Sequence, residues 1–250
     1  MKKLVTILVL FFNLAVFSQT QDQLFAEANT FYKEANYERA LGVYLAIEEE
    51  GLVSSDLYFN LGNTYYKLNK VAPAIYYYEK ALKLNPANED ARFNLAFAKR
   101  MTIDVIDELP KTVFQRFSAN IIQKLSFDTW ALIAVIASFL ASFLFLMYHF
   151  SDATRKKLLY FNTTIIAVVV MLISVFFAFN NYKTVKKNRI AIIFAPKVEV
   201  KNAPTSSSDE VFELHEGTKV IILDELDNWK KIKIADGKVG WMNDEELKEI

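Results

Sequence analysis

Apolar residues fall into four patterns along this 250-residue chain. A short block from Leu4 to Phe17 follows Met1-Lys2-Lys3. Between about residues 21 and 104, small and large apolar positions recur at helical spacing. From Thr129 to Phe150, and again from Leu158 to Tyr182, no acidic or basic Asp, Glu, Lys or Arg interrupts the run. Beyond Ile190 the pattern becomes short β-branched stretches parted by turn residues. The pattern predicts helices, then two very apolar helices, then strands.

The first block reads as a signal peptide over residues 1–18, with Val16 and Ser18 at the −3 and −1 cleavage positions. An uncleaved anchor is the alternative. The two long runs, 129–150 and 158–182, exceed the ~20 residues that cross a bilayer core. Trp130, Tyr148, Tyr160 and Tyr182 mark their margins, as aromatic residues do at membrane interfaces. The loop from Ser151 to Lys157 is short, so the two runs predict a transmembrane hairpin. Ala134, Ser138 and Ser142, Ala137 and Ala141, Thr163 and Ala167, and Ser174 and Ala178 recur four apart, which suits close helix contact in lipid. With the amino terminus exported, both flanking segments lie in the periplasm and Arg155-Lys156-Lys157 lies inside, in a two-pass inner (cytoplasmic) membrane protein. Lys183, Lys186, Lys187 and Arg189 oppose that rule; contact with lipid head groups is an alternative role for them.

The helical stretch contains a repeat. Tyr58, Leu61, Gly62, Tyr65, Ala74, Tyr78, Ala81 and Pro86 fall on the positions of a tetratricopeptide repeat, which the segment therefore resembles. Gly62 and Ala74 are small enough for two helices to approach. Pro86 stops the second helix. A shift of 34 residues upstream gives Leu24, Ala28, Phe31, Ala40 and Tyr44, a degenerate first repeat. Downstream, Phe93-Asn94-Leu95-Ala96 repeats Phe59-Asn60-Leu61-Gly62 and then the match stops. The reading is an α-solenoid over 21–104, two repeats closed by a capping helix with a polar outer face. The resemblance implies a concave protein-binding groove lined by Phe25, Asn29, Phe59, Asn60, Asn63, Tyr66, Phe93 and Asn94. Asparagine both donates and accepts, so such a row suits an extended peptide backbone. The alternative is that Asn60 and Asn94 pair between helices and bind nothing.

Residues 110–126 place Phe114, Phe117, Ile121, Ile122 and Leu125 on one helical face. This predicts a helix lying in the membrane interface, or one packed on the repeats. In 190–250, Leu214-His215-Glu216-Gly217-Thr218, Asp227-Asn228-Trp229-Lys230-Lys231-Ile232 and Asp236-Gly237-Lys238-Val239-Gly240-Trp241-Met242 resemble the bacterial SH3-like domain, and predict a small all-β barrel. Gly240 marks a close backbone approach. Trp229 and Trp241 are core fillers or ligand platforms; Trp229 is expected in the core, and Trp241 is a candidate platform.

Signal peptide, repeats, two spans and an SH3-like domain in this order resemble the BatE-type family of the Bacteroides aerotolerance operon. The exit from the repeats, Ala98-Lys99-Arg100 to Thr102-Ile103-Asp104, adds to the likeness. The resemblance implies an envelope protein whose partners include von Willebrand factor A-type membrane proteins and whose operon neighbours include a MoxR-type ATPase.

Composition narrows the chemistry. There is no cysteine, so thiol nucleophiles, disulfides and thiolate metal sites are excluded. The two histidines, His149 and His215, fall in different expected domains. No phosphate-binding glycine loop or nucleophile elbow occurs. Zero formal net charge and the lack of a basic aromatic strip argue against nucleic acid. No catalytic, cofactor or metal residue is assigned. The sequence favours a membrane-anchored adaptor; the alternative is a cell-wall sensor holding peptidoglycan peptides on the SH3-like domain, and an enzyme is the third class.

Overall fold

The computed structural model describes residues 21–250. The expected signal peptide lies outside them. The described chain divides into two compact units. One contains the residues up to Leu84, Asn88–Glu108 and Ile190–Ile250; the other contains Asn85–Ala87 and Leu109–Arg189.

In the first unit, α1 (21–33) pairs with α2 (Tyr37–Glu49), and α3 (Ser55–Lys67) with α4 (Val71–Leu84). Helix α5 (Glu89–Ala98) follows and ends in a 3-10 turn at Lys99–Met101. The caps recur with the repeat. Ser54 accepts from the Leu57 N–H, and Asn88, 34 positions on, accepts from the Ala91 N–H. The intra-pair turns recur too: Ala35 and Asn69 both take positive φ, 59° and 55°. Ala28, Ala40, Tyr44, Ile47, Leu57, Leu61 and Ala81 are fully buried between the helices. A Cβ on Gly62 would stand 2.6 Å from Cδ1 of Tyr78, so the close approach predicted there is real. The cap exposes Glu89, Asp90, Arg92 and Lys99, but also Phe93 and Phe97. Its open face is therefore mixed rather than polar.

Seven antiparallel strands complete this unit: β1 (Arg189–Ile193), β2 (Lys197–Lys201), β3 (Glu210–His215), β4 (Lys219–Leu226), β5 (Trp229–Lys233), β6 (Val239–Asn243) and β7 (Leu247–Glu249). Their order is β3-β2-β6-β5-β4-β1-β7. The expected barrel does not close, because β3 and β7 stand at opposite ends of this order. The β7 end is engaged elsewhere. Tyr76 and Lys83 of α4 donate to the carbonyls of Glu249 and Ile250, at 3.4 and 2.7 Å. Covering an edge in this way protects it from further strand pairing. The sheet core is Val198, Val200, Leu214, Val220, Ile222, Ile232, Ile234, Met242 and Leu247. Trp229 is not in it; it is half-buried on the strand face opposite Ile232, which corrects the sequence expectation. Gly240 faces Val200, whose Cγ1 would lie 2.5 Å from an added Cβ.

In the second unit, α6 (Val113–Asn120) precedes a 3-10 turn at Ile122–Lys124, then α7 (Phe127–Phe150) and α8 (Thr154–Lys187). The amphipathic helix is shorter than predicted. Ile121 leaves helical geometry, at φ −121° and ψ −59°, and Ile122 turns inward to 2% exposure. Helices α7 and α8 are each long and apolar enough to cross a membrane. They pack through Ala134, Ala137 and Ala141 against a face containing Ala167 and Ser174. Ser138 is half-buried and Ser142 exposed, and both donate to their own helix backbone.

Candidate functional site

The groove residues separate into two groups. Phe25 and Phe59, 34 apart, contact Tyr44 and Tyr78 edge-on or tilted, at ring distances of 5.8 and 6.2 Å. They are packing residues within successive helix pairs. Phe93 is the next in register and has no following helix to cover it; it stays 64% exposed and meets Phe97 at 4.8 Å.

The asparagines form two equivalent clusters. Asn29 Oδ1 accepts from Tyr44 Oη at 2.6 Å and from Asn60 Nδ2 at 3.0 Å. Asn63 Oδ1 accepts from Tyr78 Oη and from Asn94 Nδ2, both at 2.7 Å. Each cluster joins one helix pair to the next. Burial pushes the Tyr44 hydroxyl up to about 12 and raises that of Tyr78 as well. Both therefore stay protonated donors near neutral pH. The internal bonds use one carbonyl and one N–H per asparagine pair, so each amide retains further donor or acceptor capacity.

Asn63, Tyr66, Phe93 and Asn94 come together around a cavity of about 390 Å³. Tyr32, Lys67, Tyr78 and Phe97 complete its wall. Sequence reasoning missed Tyr32, Lys67 and Phe97. Tyr32 is one repeat upstream of Tyr66, and that 34-residue spacing could have found it. Lys67 is the one basic residue in this wall. Aromatic walls, amides and one ammonium suit an extended segment carrying an apolar side chain and an acceptor.

A second set of contacts joins the repeats to the sheet. Asp104 Oδ2 accepts from the His215 backbone N–H at 2.7 Å and from Thr218 Oγ1 at 2.6 Å. Its Oδ1 lies 2.8 Å from His215 Nδ1. Burial pushes the Asp104 carboxyl up, but these bonds outweigh burial and hold it below the usual carboxylate range. Glu79 of α4 is nearly buried, with Lys219 Nζ 2.7 Å from Oε2 and Lys99 Nζ 3.4 Å from Oε1. Here too burial pushes up and the two ammonium groups prevail, leaving the carboxyl ionised. Ile192 of β1 is fully buried among Ala72, Ala74, Ile75, Tyr78, Leu95 and Ala98. Gly217 closes the contact at φ +85°, where a Cβ would stand 2.8 Å from Thr102 Cγ2. Beside this seam lies a cleft of about 660 Å³ that includes Lys99, Arg100, Lys219 and Lys233 in its wall.

On the sheet, Trp241 pairs in register with Lys201 and Lys231, on the face away from the core residue Met242. It is half-buried, with Lys231 Nζ 5.8 Å from its ring centre. Trp229 shares that face by strand alternation.

Comparison with known families gives two matches. Residues 55–88 match the model of the tetratricopeptide repeat, and residues 197–248 match that of the bacterial SH3 domain. No curated protein matches the chain. Both matched types are interaction modules, ordinarily without catalytic activity, and they support a protein-interaction or adaptor role.

Proposed function

We propose that this protein is a two-pass adaptor of the inner membrane. Its repeats and SH3-like domain face the periplasm, and its groove holds an extended segment of an envelope protein. The observation that carries this reading is the cavity where Tyr66, Phe93 and Phe97 surround the amides of Asn63 and Asn94. The spacing of apolar and amide groups suits peptide recognition through backbone hydrogen bonds and one buried side chain. Further support comes from topology. The segments before and after the hairpin belong to one compact unit, and two crossings return a chain to the side it left.

The family resemblance gives the partner class: von Willebrand factor A-type membrane proteins of an aerotolerance operon. The test is an affinity purification from crosslinked membranes, comparing the native chain with Asn60→Ala/Asn94→Ala. The reading requires these partners with the native chain and at least a tenfold loss with the variant. Equal recovery from both would overturn the groove assignment.

A second reading has its own observation. Trp229 and Trp241 lie on the sheet face away from the core, with Lys231 Nζ 5.8 Å from the Trp241 ring centre. An aromatic surface with a nearby ammonium group suits wall peptides, which carry carboxylates. Retention on purified sacculi that is lost in Trp241→Ala would favour this role; no retention by the native chain would remove it.

A further inference from the structure

The short helix α6 is tied to a particular level of the hairpin. The buried Asn181 of α8 donates through Nδ2 to the carbonyls of Ile122 and Leu125, at 3.3 and 2.7 Å. Trp130 of α7 donates through Nε1 to the same Ile122 carbonyl at 2.9 Å. Phe127 meets Tyr182 at a ring distance of 5.8 Å, and Trp130 meets Phe177 at 5.0 Å. The elbow after α6 is therefore level with residues 177–182 of α8.

That level is where the apolar span ends. From Leu158 to Phe179 α8 rises roughly 33 Å at about 1.5 Å per residue, close to the thickness of a bilayer core. Beyond it come Asn180, Asn181, Tyr182 and then Lys183, Lys186 and Lys187. Two asparagines, a set of aromatic rings and an onset of lysines mark an interface.

Helix α6 has the surface for that position. A capping box between Thr112 and Gln115 fixes its start. Val113 is 83% exposed, Phe114 72%, and Phe117 and Ile121 are exposed on the same side. No neighbouring element covers this apolar stripe among the described residues. Arg116, at the flank, donates through Nε to the Lys111 carbonyl. Lys124 follows in the elbow and is exposed.

We infer that α6 is a lipid-binding element, seated in the head-group layer at the end of the hairpin that carries Lys183–Lys187, and that anionic phospholipids are its preferred ligands. The inference rests on the two-span reading. Val113, Phe114, Phe117 and Ile121 enter the acyl boundary, while Arg116, Lys124 and the lysines of α8 meet phosphate. This assigns a role to a basic cluster that the positive-inside rule leaves unexplained. Lys183 and Lys186 remain close to the interfacial rings of Phe179 and Tyr182, at 4.4 and 5.9 Å.

The absence of native cysteine makes a clean labelling experiment possible. The full-length Phe114→Cys variant carries an environment-sensitive fluorophore and is reconstituted into nanodiscs of phosphatidylcholine, with or without a fifth of phosphatidylglycerol. Lys238→Cys, in an exposed turn of the sheet, is the aqueous reference. Hairpin insertion is checked first by resistance to carbonate extraction from liposomes. The inference requires blue-shifted emission from position 114, at least twofold quenching by lipids brominated near the head group, and deeper quenching with the anionic lipid. It also requires that Lys183→Gln/Lys186→Gln/Lys187→Gln abolish the anionic preference. Water-like emission from an inserted protein would overturn the inference and leave the two-span reading intact. An interfacial signal indifferent to lipid charge would overturn the anionic preference. Failure to insert would overturn both readings.

Discussion

Ala35 and Asn69 occupy equivalent turns, yet only asparagine tolerates the left-handed backbone well. Ala35→Asn should therefore stabilise the repeats by up to about 1 kcal/mol, seen as a higher melting temperature of the solubilised chain. Gly62 presents the opposite case. A methyl there collides with the Tyr78 ring, itself fixed by Asn63. Gly62→Ala should cost about 1–3 kcal/mol, the usual cost of overpacking, and lower the same transition. Burial of tyrosine hydroxyls adds an alkaline limit. The Tyr44 value is raised from 10.0 to about 12, with Tyr77 and Tyr78 also raised. Their contribution is complete below about pH 10 and is lost as pH rises toward 12. An alkaline titration followed by circular dichroism should show helix loss over that interval, and an unchanged signal would contradict it. These positions were legible to different degrees. Gly62 could be read from its motif, because a small residue has one role at that spacing. The strain at Ala35 could not, because alanine ordinarily signals helix.

At the scale of elements, the seam between α4 and the sheet depends on Asp104, Glu79 and Gly217. Asp104 lies below its ordinary 3.8 in the folded protein. Its contribution is full above about pH 4 and fades as pH falls through the lower folded value. Acid should open the seam first, and Asp104→Asn should remove that acid dependence, as measured by hydrogen exchange at Gly217 and Thr218. The Glu79 contacts are asymmetric. Lys219 and Lys99 are 35% and 44% exposed in their side chains, whereas Glu79 is 8% exposed. Removing the carboxylate lets the lysines return to water; removing Lys219 leaves a buried charge short of a partner. Lys219→Met should therefore lower the melting temperature more than Glu79→Met. None of this seam was visible in the sequence, since Asp104 and His215 are 111 positions apart and no local periodicity links them. The strands themselves were legible from their β-branched runs. Closure into a barrel was not, because it depends on what covers β7, and α4 does so through side chains far away in sequence.

For the whole molecule, the order of modules was the most legible feature, since each has its own hydrophobic period. The cavity beside α5 was partly legible. The repeat resemblance implied Asn63, Tyr66, Phe93 and Asn94 as groove residues, and these four meet around one cavity. It did not reveal that Phe25 and Phe59 engage tyrosines while Phe93 remains exposed, because that follows from the array ending after α5. An unfinished stack leaves one aromatic surface without its next helix. The adaptor reading assigns that surface to a partner. The direct test places a photoreactive phenylalanine analogue at Phe93 in cells and irradiates them, with Glu38 on α2 as the control position. The account predicts a discrete adduct with an envelope protein from position 93 alone, lost in Asn60→Ala/Asn94→Ala. No adduct at 93, or one that persists in the double variant, would contradict it.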